Sequence, residues 1–484
     1  MVGSPNGALC LSAMRLTPPS TAALLLALLQ PATGHAAGLD GGALTAAWGV
    51  PFAGLLLSIA LLPLVAPAFW HHHFGKIAAG WALLFIVPCV ATFGAGVTAQ
   101  TLVHALLAEY LPFIVLLTAL FTVAGGIFVR GNLHGSPALN TGLLALGALL
   151  ASLMGTTGAA MLLLRPLLRA NDNRPRQAHV VVFFIFIVAN AGGSLTPLGD
   201  PPLFLGFLQG VDFFWMLQHI LTETLFLVGA LLLVFFVVDR WFFRRDSVSP
   251  RDPTADTHSL GLEGLVNLPL LVAVIGLVLM SGFWKGSPEF DLMGTRVSLA
   301  AVSRDAGLVA VTLLSLLLTP GRVHAANAFG WAPMAEVAKL FAGIFLTIAP
   351  VIAMLQAGAG GPFGAVVSAV TRADGTPSPV MYFWITGLLS AFLDNAPTYL
   401  VFFHTAGGDP RTLMTTLAPV LAGISTGAVF MGALSYIGNA PNLMVKAVAE
   451  HQGVRMPGFF GYMAWSCAVL LPLFLVITVI WFPR

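Results

Sequence analysis

Four short stretches gather polar side chains, glycine and proline inside an otherwise oily chain: "GTTGA" at 155–159, "NAGGSLTPLGDPPLF" at 190–204, "DNAPT" at 394–398 and "GALSYIGNAPNLM" at 432–444. Gly192, Gly193 and Gly199 permit backbone conformations that other residues avoid, and Pro197, Pro201 and Pro202 stop a helix from continuing. Freed carbonyls and half-helix ends result. Ser194, Thr196 and Asp200 add oxygen atoms at the same depth, the ligand chemistry a small hard cation such as Na⁺ requires. Thr156 and Thr157, Asp394 with Asn395 and Thr398, and Ser435 with Asn439 and Asn442 supply the other walls. An ionisable group near a bilayer centre costs at least ~2.5–3.5 kcal/mol, which makes Asp200 and Asp394 functional candidates. No Lys or Arg occurs in these stretches to neutralise them. Burial favours a protonated carboxyl and a bound cation an ionised one, so one site takes a proton or Na⁺ in competition. The chemistry expected is cation binding, with Na⁺ in the Asp200 and Asp394 region.

The elements that position these residues are membrane helices. The 484-residue chain is 58 % apolar and 8 % charged, with mean hydropathy +0.92, against roughly 25 % charged residues in soluble domains. Runs long enough to span lie at about 44–67, 77–95, 98–127, 178–191, 214–239, 265–284, 300–319, 333–355, 412–431 and 457–482, by the ~20-residue criterion. Two more apolar segments, about 137–168 and 378–404, are broken near the middle by "GTTGA" and "DNAPT" and read as re-entrant hairpins. The fold class expected is therefore all-α and polytopic, with about 10 spans plus two hairpins.

Residues 1–37, with Arg15, the short apolar core "TAALLLALLQ" and small residues before Ala36, read as a signal peptide, and Met14 offers an alternative start. The first membrane half then covers 38–244, a polar linker with two prolines 245–263, and the second half 264–484. Arg165, Arg169, Arg174 and Arg176 share a side with Arg240, Arg244, Arg245 and Arg251, which the positive-inside rule makes cytoplasmic, leaving the N-terminus outside. The net charge of +2 is spread over short loops, so no nucleic-acid partner is expected, and Cys10, Cys89 and Cys467 are too dispersed for a disulfide framework or metal site. Arg304–Asp305 and Glu336–Lys339 read as local ion pairs, "HHH" at 71–73 as a membrane-edge feature, and Glu109 and Glu223 as proton-path or structural carboxyls.

The halves repeat. A shift of 239 lays "GSLTPLGDPPLFL" from Gly193 on "GALSYIGNAPNLM" from Gly432, and without a gap "LLASLMGTTGA" from Leu149 on "LLSAFLDNAPT" from Leu388. The connection between the two clusters is arginine-rich in the first half, whereas "HTAGGDPRT" in the second has one arginine and falls outside. The halves are therefore expected to be inverted, with discontinuous helices meeting near the midplane.

"NAGGSLTPLGD" and "FLDNAPT" resemble the two signature segments of the ion transporter superfamily, most closely its NhaD-type sodium/proton antiporters; citrate and dicarboxylate carriers and arsenite permeases are relatives. The resemblance spans roughly 44–482 and places function on Asn190, Thr196, Asp200, Asp394 and Asn395. It implies two inverted repeats, a scaffold domain that often dimerises, hence a homodimer in membrane lipid, and elevator-type movement of a transport domain. No cofactor is expected beyond transported Na⁺ or Li⁺ and H⁺, and the location implied is a bacterial inner membrane. Three functions compete: a Na⁺(Li⁺)/H⁺ antiporter, a sodium-coupled citrate or dicarboxylate symporter, and an intramembrane aspartyl protease. The protease reading is disfavoured because "PL" precedes the Gly199–Asp200 pair and because the repeat opposes Asp200 to Asn439 rather than to a second acid.

Overall fold

The computed structural model describes residues 39–246 and 260–482. The signal segment and the centre of the linker lie outside the described residues. Helix α1 (Val50–Val65) is followed by α2 (Pro67–His104), a π-helical turn (Ala105–Tyr110) and α3 (Leu111–Gly125). The spans expected at 77–95 and 98–127 lie on either side of a break in this continuous stretch. Gly94 breaks it, at φ 84° and ψ 163°, a conformation open to glycine. Strand β1 (Phe128–Arg130) leads to α4 (Pro137–Met154), α5 (Thr156–Ala170), α6 (Ala178–Ile187), α7 (Pro201–Leu208) and α8 (Leu221–Arg245). Beyond the linker, β2 (Gly261–Glu263) pairs antiparallel with β1, Val129 opposite Leu262. Then come α9 (Asn267–Phe283), the hairpin β3 (Glu289–Leu292) and β4 (Thr295–Ser298), α10 (Leu299–Leu318) and α11 (Ala332–Gln356). The chain ends with α12 (Pro379–Ser390), α13 (Asn395–Thr405), α14 (Ala418–Met431), α15 (Ala440–His451) and α16 (Phe459–Trp481).

Among the described residues, seven helical stretches are long and apolar enough to cross a bilayer, and four shorter helices are apolar. This is an all-α, multi-pass membrane protein. Both interrupted segments break where their polar residues stand. Gly155 separates α4 from α5 at φ 81°, and Ala391 to Asp394 separate α12 from α13. In each case the two pieces pack on one another. Ser136 and Ser378 open α4 and α12 by accepting from the amides of Leu139 and Met381, each followed by proline at the first helical position, where its missing N–H costs nothing.

Side chains divide between two apolar cores. One, carried by α1, α3, α9, α10 and α11, contains Phe52, Leu55, Phe113, Leu308, Phe341 and Phe345. The other, carried by α4 to α6, α8, α12, α14 and α16, contains Phe183, Phe186, Phe235, Phe383, Phe430 and Phe474. Helices α7 and α13 stand between them: Phe204 and Leu400 join the first core, Leu203 and Tyr399 the second. The two half-helices pack against each other along this seam.

Several polar groups within the helices find partners there, as a medium that offers no water favours. Asp239 of α8, fully buried, accepts from Arg174 (2.6 Å) and Asn140 (2.9 Å) and lies 2.8 Å from His179 Nε2. Arg304 meets Asp305 at 2.8 Å, as expected. Glu336 and Lys339 do not form the expected pair among the described residues; Lys339 lies instead over the Phe74 ring, 5.4 Å from its centroid, because its side chain crosses to α2. Glu223 accepts from Thr222 (2.9 Å), which is in turn held by Trp481 (2.9 Å), a structural arrangement at the start of α8.

Outside the membrane helices, the exposed Asp409 caps the short helix Pro410–Met414, accepting from the Thr412 amide (2.9 Å) and hydroxyl (2.5 Å). These bonds, with the side-chain one first, hold its carboxyl below the usual carboxylate range. A depressed folded-state value means the cap's contribution is present above the unfolded value of about 3.9 and is lost as pH falls through the lower folded one. We expect the Thr412 amide, corrected for intrinsic exchange, to lose protection against hydrogen exchange across that acid range. Asp409→Asn should flatten the response; a wild-type profile that is already flat would contradict the assignment.

Candidate functional site: a carboxylate between broken helices

The loop from Asn190 to Asp200 leaves α6, makes a 3₁₀ turn (Ala191–Gly193) and crosses close to itself before α7. A Cβ on Gly199 would sit 2.1 Å from the Gly193 carbonyl oxygen, so only glycine fits there. The loop is tied to the break between α4 and α5. Thr196 donates to the Ser152 carbonyl, Ser152 Oγ donates to the Gly192 carbonyl (2.6 Å), and the Thr156 amide donates to the Gly199 carbonyl (2.8 Å). That last bond directs the N-terminal end of α5 at the base of Asp200.

The second half repeats this construction at the same offset. Ser435 donates to the Ala391 carbonyl as Thr196 does to Ser152, and the Ile437 amide donates to Ser435 Oγ (3.1 Å) as the Leu198 amide does to Thr196 Oγ1 (3.2 Å). A Cβ on Gly438 would meet the Gly432 carbonyl oxygen at 2.5 Å, the counterpart of the Gly199 crossing. Asp200 and Asn439 are the N-cap residues of α7 and α15, both in extended conformation, and neither caps its own helix with its side chain. They reach each other instead. Asn439 Nδ2 donates to Asp200 Oδ1 at 3.1 Å, joining residues 239 apart.

Asp200 is 1 % exposed. Its Oδ1 also accepts from Thr156 Oγ1 (3.1 Å), and its Oδ2 accepts from Asn395 Nδ2 (2.5 Å). All three donors are neutral, and among the described residues no Lys or Arg pairs with this carboxylate. Asn190 completes the cluster: it donates to Asn442 Oδ1 (2.7 Å) and accepts from Asn439 (3.2 Å), while Asn442 donates to the Gly432 and Ser435 carbonyls (2.9 Å each). Beside the carboxylate lies a cavity of about 100 Å³ in which Gly155, Thr156, Thr157, Gly199 and Asp200 face apolar side chains such as Leu120, Phe204 and Met334. Among the described residues, Asp200 is the only charged one that lines it. The Oδ1 of Asn395, buried nearby, has no hydrogen-bond partner.

The candidates are thus unequally placed. Thr156, Asn190, Asp200, Asn395, Asn439 and Asn442 form one hydrogen-bonded cluster, and Thr157 lines the cavity. Thr196 and Ser435 hold the loops, their hydroxyls committed to backbone carbonyls. Thr398 donates to the Asp394 carbonyl within α13 (2.8 Å). Ser194 faces away, against Thr224 of α8 (2.7 Å). Asp394 is half-buried, caps α13 through the Ala396 amide (3.1 Å) and does not line the cavity. Residue-by-residue reading missed Ser152, whose hydroxyl and carbonyl both brace the 190–200 loop; its place opposite Ala391 in the repeat is the available signal. Glu109, on the π-helical turn, accepts from Gln209 (3.3 Å) at the far end of α7 and stands apart from the cluster.

The family described as "Putative citrate transport" matches residues 41–482. No curated protein matches the chain.

Proposed function

The chain belongs to that citrate-transport family, and from this premise we propose a secondary active transporter that exchanges Na⁺ or Li⁺ for protons. The observation that carries the cation part is Asp200: a buried carboxylate held by neutral donors only, and the sole charge facing its cavity. Such a group holds a proton or a small cation in turn, but not both well, and this exclusion is sufficient for antiport. Thr156, Thr157, Asn395 and the carbonyls around Gly155 and Gly199 are the neutral oxygens available to complete the ligand shell.

The architecture fits an inverted pair of repeats in which α4–α5 and α12–α13 are re-entrant hairpins and the segments from α6 to α7 and from α14 to α15 are discontinuous helices. The core of α4 to α6, α8, α12, α14 and α16 is the transport domain. The core of α1, α3 and α9 to α11 is the scaffold, and the seam along α7 and α13 is where an elevator movement would slide. The arginine-rich loops face the cytoplasm of a bacterial inner membrane, with a homodimer as the assembled form. The family description favours a second reading, Na⁺-coupled uptake of citrate, in which Asp200 holds the coupling cation and amides such as Asn190 and Asn442 meet the anion.

Inverted membrane vesicles holding an acid interior separate the two. Adding Na⁺ or Li⁺ should dissipate the pH gradient, with half-maximal effect in the millimolar range or below, and adding citrate should not. Absence of dissipation by any monovalent cation, with Na⁺-dependent uptake of labelled citrate, would sink the antiporter in favour of the symporter.

A further inference from the structure

A second cavity, of about 590 Å³, lies where the π-helical turn before α3, the end of α7, the end of α9, the β3–β4 hairpin and the start of α10 meet. Its size is that of a site for a small molecule. Three cations line it, Lys285, Arg296 and Arg304, together with two acids, Asp212 and Glu289. Lys285 and Arg296 are exposed and, among the described residues, form no ion pair or hydrogen bond. Arg304 is different. It is 4 % exposed, and only its Nε is engaged, donating to Asp305 Oδ1 at 2.8 Å. Among the described residues its two terminal nitrogens have no acceptor, and a buried guanidinium left so is costly. An oxyanion in the cavity removes that cost, because the guanidinium fork pairs with two oxygens of one group. This is not the Asp200 cavity: Phe204 lines that one, and the Arg304 guanidinium carbon lies 6.0 Å from its ring centroid.

Charge and depth decide which oxyanion fits. With Asp305 counted, three cations meet three acids, a balance that a multiply charged free anion would upset. A zwitterionic phosphodiester keeps it, since its phosphate meets the cations and its ammonium the acids. The cavity also stands at the edge of the hydrocarbon. Helix α9 ends at Phe283, and the exposed Trp284 and Lys285 that follow are residue types that gather where chains meet lipid head groups. Phe214 and Phe283 both line the cavity and are exposed, so apolar surface for acyl chains adjoins the charges. We propose that this cavity binds a phospholipid head of the phosphoethanolamine type, with its phosphate on Arg304, Arg296 and Lys285 and its ammonium on Asp212 and Glu289. A lipid seated there ties the half-helix that Asp200 opens, α7, to α9 and α10. The inference is independent of which ion or anion is transported.

Native mass spectrometry of the full chain in detergent tests this, with phosphatidylethanolamine, phosphatidylglycerol and inorganic phosphate titrated separately. Wild type should hold phosphatidylethanolamine at least about threefold more tightly than phosphatidylglycerol, whose head lacks the ammonium. Arg304→Gln should weaken that binding about tenfold, the loss of a charge-assisted hydrogen bond. Arg296→Gln should weaken it about threefold, as for an exposed charge pair. Arg322→Gln is the control, an arginine that lies 3.4 Å from Glu263 and does not line the cavity, and it should bind as wild type does. Should Arg304→Gln fail to fold, the double variant of the exposed cations, Lys285→Gln with Arg296→Gln, should itself lose about tenfold. Phosphatidylethanolamine binding equal to wild type in the variants that fold overturns the site. Binding of phosphatidylglycerol as tight or tighter overturns the zwitterionic assignment. Inorganic phosphate bound through Arg304 without any lipid preference also overturns it, in favour of a free anion.

Discussion

Replacing Asp200 by asparagine should lower Na⁺-driven proton exchange by at least about a hundredfold while leaving a folded protein. The substitution keeps the side chain's shape and removes its charge, and among the described residues no other charged group lines the cavity to take over. Three donors converge on this carboxylate, from Thr156, Asn395 and Asn439. A hydrogen bond to a charged group contributes about 1.5–3 kcal/mol against about 0.5–1.5 for a neutral pair, so the cluster weakens without coming apart. On the proposed function, a bound Na⁺ would lose its anionic ligand and the proton its carrier. Exchange rates in proteoliposomes, read with thermal unfolding of the same preparation, check both halves of the expectation. Transport within a few-fold of wild type would remove Asp200 from the mechanism. Asp394→Asn should be far milder, because asparagine also caps helices well and Asp394 acts in the structure as the cap of α13.

Gly199→Ala should prevent recovery of folded protein, or lower its unfolding midpoint by about 3 °C or more, on the order of 3 kcal/mol or more. The added Cβ would lie 2.1 Å from the Gly193 oxygen and 2.7 Å from its carbon, atoms of the backbone that cannot swing aside as a flexible side chain can. Moving them drags the loop away from Thr156 and Ser152, which hold it, and takes the base of Asp200 with it. Gly229→Ala is the control, since nothing lies within 4 Å of the site its Cβ would occupy. Size-exclusion profiles and thermal unfolding of both variants in detergent check it. Equal yield and equal midpoint would show that the loop crossing has slack the geometry denies.

The breaks in the helices were legible in the sequence because each contrasts sharply with its surroundings. Glycine, proline and small polar residues inside apolar runs leave few alternatives at Gly155, at Asp394 or between Asn190 and Asp200. Two contacts stand at the 239-residue offset read from the sequence, Thr196 on Ser152 and Ser435 on Ala391. The direction of side chains within the unwound loops was not legible. Helices and strands impose a period on which side chains share a face, but an irregular loop does not. Ser194 and Thr196 therefore read as equal ligands, although one faces Thr224 and the other is committed to a carbonyl.

The meeting of Asp200 with neutral Asn439 also bears on the energy source of transport. Two acids at these equivalent positions would let the site load two positive charges, or one charge of each kind. With one acid, a site that exchanges a single proton for a single Na⁺ carries the same total charge in either loaded state. On the proposed function such a cycle is electroneutral. Membrane voltage, worth about 2.3 kcal/mol per elementary charge per 100 mV, then drops out of the driving force. The direction of flow is left to the ratio of proton to sodium concentrations on the two sides, so an alkaline exterior would stall or reverse extrusion however strongly the membrane is polarised.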